Sequence, residues 1–104
     1  MPKTPDWYQT QRKKYPGVFD AYERLGKACR DAGPLDAKQA ALLKLAIAVG
    51  ARLEGAVHSH VRRSIEAGAS PDECRHVVLL ATTTLGFPAM MAALSWVEDV
   101  LSRK

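Results

Sequence analysis

From Leu42 to Val49 a single residue, Lys44, interrupts a run of apolar side chains. A helix of that composition has no face left over for water and must be covered on several sides. Around it the apolar positions recur every three or four residues, the period of a helix. Phe19, Tyr22, Leu25, Gly26 and Cys29 share one side of a segment running from Val18 to Ala32, and Val57, Val61 and Ile65 form a stripe after Glu54. Pro and Gly mark the breaks: Tyr15-Pro16-Gly17, Gly33-Pro34, Gly68 and Gly86-Phe87-Pro88. Start signals stand beside several of them. Asp6 can cap a short helix to about Lys14, and Asp36 with Gln39 has the form of a capping box for a helix from Ala37 to about Ala51. Ser70-Pro71-Asp72-Glu73 is a strong start, with Ser at the cap, Pro in the first position and Glu in the third. That helix is expected to continue towards Leu85, with a last one from Pro88 to about Leu101. No strand alternation and no internal repeat interrupts this pattern, so the expected class is all-α.

Composition narrows the picture. With 104 residues there is room for one core, and a chain this short commonly adds core by assembling with copies of itself. The expected organisation is a lead-in over residues 1–17 carrying a short helix, then a helical domain over 18–104. The formal charge of +4 comes from 15 basic against 11 acidic residues, interspersed rather than striped. Nucleic-acid binding asks for a basic stripe with stacking aromatics, so no nucleic-acid partner is expected. A basic surface instead favours small anionic substrates. The longest apolar stretch is too short to span a bilayer, and residues 1–6 hold two prolines and no apolar run. A cytoplasmic protein without a membrane partner is expected. Cys29 and Cys74 form neither a CxxC pair nor a zinc spacing, and both read as buried small apolar side chains.

The titratable interest lies in Glu54-Gly-Ala-Val-His-Ser-His-Val-Arg-Arg63. Glu54 and His58 are one turn apart, so carboxylate and imidazole can meet and handle a proton near neutrality. His60 points elsewhere, towards the small residues Ala56, Ser64 and Ala67, where another helix can approach closely. The two imidazoles diverge by about 200°, a poor arrangement for one metal ion, and no metal or other cofactor is expected. His76 falls on the exposed side of its helix.

The stretch Gly50 to Arg62, then Glu66 to Glu73, then Leu85-Gly-Phe-Pro-Ala89, together with Leu42 to Val49, resembles the carboxymuconolactone decarboxylase family of the alkylhydroperoxidase D-like superfamily. The resemblance covers roughly residues 20–101. It implies a helical fold of about five to six helices that works as a homo-oligomer, a trimer or a hexamer. The peroxidase branch uses a Cys-x-x-Cys pair, a histidine four residues later and a glutamate before them. With His60 on that histidine, Leu53 and Ala56 stand where the cysteines belong and Ala41 where the acid belongs, so thiol chemistry by that route lacks its nucleophile. The decarboxylase branch is matched by Gly50, Glu54, Gly55, His60, Arg62 and the turn Gly86 to Ala89, while Ala56 replaces a glutamate often found there.

The resemblance implies acid–base chemistry of a lyase kind on a small anionic carbonyl or lactone substrate. His60 would be the principal acid or base, Glu54 and His58 a supporting pair, and Arg62 or Lys44 the holder of a carboxylate. A peroxidase of the alkylhydroperoxidase D type, with peroxiredoxin activity, is the family-level alternative. A non-catalytic helical oligomer that binds a metabolite is another.

Overall fold

A computed structural model describes residues 6–102. They form seven helices and no strand: α1 (Asp6–Lys14), α2 (Pro16–Asp31), α3 (Ala37–Gly50), α4 (Glu54–Glu66), α5 (Pro71–Leu80), α6 (Thr82–Leu85) and α7 (Phe87–Leu101). The chain is all-α, as its periodicity requires. The count exceeds the expected five to six because the segment after Ser70 is broken: it leaves α-helix at Ala81 and resumes for one turn through three β-branched threonines. Two compact units divide the described residues, one ending at Asp36 and the other beginning at Ala37.

The first unit is a helical hairpin held by polar contacts. The first helix ends at Lys14, as expected, but Tyr15-Pro16 opens no loop, and the next helix starts at Pro16 rather than Val18. The dipeptide joins two helices directly, with Pro16 in the first turn of α2, where its missing N–H costs nothing. Arg12 bridges the pair, reaching Asp20 at 2.9 Å and the two oxygens of Glu23 at 2.9 and 3.0 Å. The Tyr8 hydroxyl donates to Glu23 at 3.2 Å, and its ring meets Phe19 edge-on with centroids 5.2 Å apart. Neither helix carries a fully buried residue. Cys29 is accordingly exposed, which corrects the expectation that both cysteines are buried.

The second unit has a true core. Leu45 from α3, Val57 and Val61 from α4, Cys74 and Val78 from α5, and Val97 and Val100 from α7 are fully or almost fully buried against one another. Helix α3 packs on α4 and α5, and α7 packs on α4, α5 and α6. Polar links pin the ends. Ser70 Oγ accepts from the Glu73 N–H at 3.1 Å while Glu73 Oε1 accepts from the Ser70 N–H at 2.8 Å, the expected capping box. The other Glu73 oxygen pairs with Lys38 at the start of α3, 2.7 Å away. Arg75 ties α5 to α7 through Glu98 at 2.6 and 3.1 Å.

Helices α3 and α4 end in the same hydrogen-bonded turn. The Leu53 N–H donates to Ala48 O and the Arg52 N–H to Val49 O, as the Ala69 N–H donates to Ser64 O and the Gly68 N–H to Ile65 O. The turn demands a left-handed residue. Gly68 supplies it after α4 with φ 100°, whereas after α3 the position falls to Arg52 with φ 59°. That turn aims α4 back along α3 and so sets where its histidines lie.

Candidate functional site

Successive side chains on α4 point about 100° apart, so its functional residues separate onto distinct faces. Val57 and Val61 enter the core, with no exposure at all. On one flank stands His58, on the other His60.

The His58 ring meets two carboxylates. Its Nε2 lies 3.2 Å from Asp99 Oδ2 on α7 and 4.0 Å from Glu54 Oε2 one turn earlier. The expected Glu54–His58 contact is therefore present but loose, and the closer partner is Asp99. The ring is largely buried while both acids stay half exposed, at 21% against 58% and 50%. Nothing in the sequence flags Asp99, which is 41 residues away and reads as an ordinary surface acid.

The His60 ring is partly buried, and its Nδ1 is sealed from solvent with no hydrogen-bond partner. An unpaired buried nitrogen is uncommon and costs of order 1–3 kcal/mol. Its surroundings resist protonation. Burial is the main cause, and the positive charges of Lys44 on α3 and Arg63 on α4 add to it, lowering the pKa from 6.5 to about 4. The ring is thus neutral at physiological pH, a free base rather than an acid. Its carbonyl accepts from Ser64 Oγ at 2.7 Å, and Ser64 is wholly buried. Of the small residues expected around His60, Ser64 is buried and Ala56 and Ala67 are half-buried. Lys44, expected as an anion holder, is half-buried within electrostatic reach of the ring. Arg63, not singled out from the sequence, acts on it as well. Arg62 is half-buried on α4, and His76 is exposed.

These residues make two clusters, not one. Glu54 and His58 gather with Asp99, and His60 gathers with Lys44 and Arg63. Apart from both lies an apolar groove of about 360 Å³ between α3, α5 and α6, lined by Leu42, Ala46, Val49, Val77, Leu80 and Leu85 among others. No histidine or charged side chain lines it. Around it the surface keeps large apolar side chains: Leu43, Ile47 and Leu80 are 49%, 69% and 64% exposed. The two thiols are free, Cys29 in the first unit and Cys74 in the second. Burial pushes the Cys74 thiol up, away from the reactive thiolate. No helix among the described residues is long and apolar enough to cross a membrane.

A profile described as the carboxymuconolactone decarboxylase family matches residues 16–99. A protein of uncharacterised function from Haemophilus influenzae is 41% identical over 52 residues, which cover 50% of this chain and 46% of that protein. The match therefore spans less than half of the relative's length. Among solved structures, the apo form of a carboxymuconolactone decarboxylase family protein from Legionella pneumophila superposes with a TM-score of 0.76. It is 24% identical, and the alignment covers 93% of this chain and 87% of that one, a shared fold.

Proposed function

The chain belongs to the carboxymuconolactone decarboxylase family, and on that premise we propose that it is an enzyme moving a proton on a small anionic carbonyl or lactone substrate. His60 is the group that takes and returns the proton, and Lys44 with Arg63 or Arg62 holds the substrate's carboxylate. The observation that carries this reading is the unpaired, solvent-sealed Nδ1 of a neutral imidazole beside two cations. A base must be unprotonated before it acts, and burial next to positive charge keeps His60 so. An incoming carboxylate would cancel part of that positive field, raise the ring's proton affinity and favour the imidazolium needed to quench a carbanion. The substrate would in this way prepare its own proton donor.

The test is turnover on a panel of small carboxylated lactones and β-keto acids, following CO2 release and solvent deuterium uptake. His60→Gln should lower kcat by about two orders of magnitude or more, and Lys44→Met should raise KM. Full turnover by His60→Gln would remove the proposal.

We also infer that the chain works as a homo-oligomer, the exposed apolar surface of α3 and α5 being what copies cover. Light scattering of the wild type against Leu80→Asp checks this: a trimer or hexamer should be lost in the variant, and a monomeric wild type would refute it.

A further inference from the structure

Elsewhere on the chain the paired carboxylates face strong bases. Arg12 answers Asp20 and Glu23, Lys27 answers Asp31, Lys38 answers Glu73, and Arg75 answers Asp72 and Glu98. The junction of α4 and α7 is different. There Glu54 and Asp99 share one imidazole, and among the described residues their ionic contacts within 4.0 Å are to His58. In either protonation state His58 offers at most one positive charge to two negative ones.

The donor atoms are also gathered. One nitrogen of His58 and one oxygen each of Glu54 and Asp99 all lie within 4.8 Å of one another. Divalent ions such as zinc bind histidine nitrogen and carboxylate oxygen at about 2.0–2.2 Å, which sets neighbouring donors roughly 3.0–3.5 Å apart. The His58–Asp99 separation of 3.2 Å already falls in that range, and Glu54 must close on both partners, from 4.0 Å to His58 and from within 4.8 Å of Asp99. The side chain that must move is the most exposed of the three. The part that must stay fixed is fixed: His58 follows Val57 and Asp99 precedes Val100, both locked in the core.

We propose that Glu54, His58 and Asp99 form a binding site for a divalent transition-metal ion, distinct from the His60 cluster and independent of its chemistry. Two carboxylates and a neutral imidazole neutralise a dication, and nitrogen with oxygen donors suits zinc, cobalt or nickel better than a purely oxygen-seeking ion. Three protein donors, two of them on exposed side chains, leave coordination positions open towards solvent for water or an anionic ligand. The ion would replace the His58–Asp99 hydrogen bond and tie the first turn of α4 to the last turn of α7.

Calorimetric titration of metal-stripped full chain with Zn2+, and visible spectroscopy with Co2+, test this. The expectation is saturable binding of one ion per chain, with cobalt d–d bands that zinc bleaches. Asp99→Asn and Glu54→Gln keep the shape of exposed side chains, and each should weaken affinity at least tenfold. His58→Ala should abolish the cobalt spectrum. His60→Gln and His76→Ala should bind as the wild type does. Absence of saturable binding up to millimolar Zn2+ would overturn the site, as would Asp99→Asn and His58→Ala chains that bind with unchanged affinity.

Discussion

Replacing His60 by Gln should change how stability depends on pH, whatever the substrate. The folded chain holds His60 at a pKa of about 4, against 6.5 for the free side chain, chiefly through burial and then through Lys44 and Arg63. Between those values the unfolded chain binds a proton at this position that the folded chain does not, so stability rises with pH. The contribution is absent above 6.5, grows as a penalty while pH falls towards 4, and levels off below. Two and a half pH units at about 1.4 kcal/mol each set a ceiling near 3.5 kcal/mol. The ring is only partly buried, and solvent screening brings the expected difference to about 1–2 kcal/mol. Urea denaturation of wild type and His60→Gln at pH 7.5, 6, 5 and 4 isolates it, since the other titrating groups are common to both chains. The wild type should lose stability relative to the variant as pH falls. Parallel curves, or an NMR titration of the His60 ring centred near 6.5, would refute the claim that the ring is held neutral by its surroundings.

Arg52→Gly removes a side chain from a left-handed position and should stabilise the fold by about 1 kcal/mol, measured as a raised urea midpoint. Ser70→Ala breaks the capping box of α5 and should cost about 1 kcal/mol by the same assay. Leu45→Ala opens a cavity where exposure is nil and should cost about 2–5 kcal/mol, seen as a large drop in melting temperature.

What could be read in the sequence was what depends on neighbours along the chain. Ser70 to Glu73 signals its cap because all its partners lie within one turn, and Val57 and Val61 signal the core through their spacing. The continuous apolar run in α3 marked a helix needing cover on several sides, and part of that surface is still bare. Three features escaped: one depends on a residue distant in sequence, one on backbone geometry with no composition of its own, and one on a choice between adjacent cations. Asp99 meets His58 only because α7 packs on α4. Arg52 occupies a glycine's position, so the turn after α3 carries no glycine signal. Arg63, next in line to Arg62, differs from it by a third of a turn, enough to decide which cation acts on His60. Pro16 both follows the end of α1 and opens α2, because a proline after a break fits the first turn of the next helix.

Glu73 divides its two oxygens between jobs on different scales. One closes a hydrogen bond within its own helix, and the other reaches across to the beginning of α3. The first can form as soon as four residues coil, but the second must wait until segments some thirty-five positions apart have met. Lys38 and the cap also draw this carboxyl's proton affinity down, so acidification works against both bonds at one atom group. The two helix openings should therefore loosen together rather than in turn, and amide protection factors at residues 37–40, 70, 72 and 73, corrected for the intrinsic pH dependence of exchange, should fall in concert as the solution is made acid.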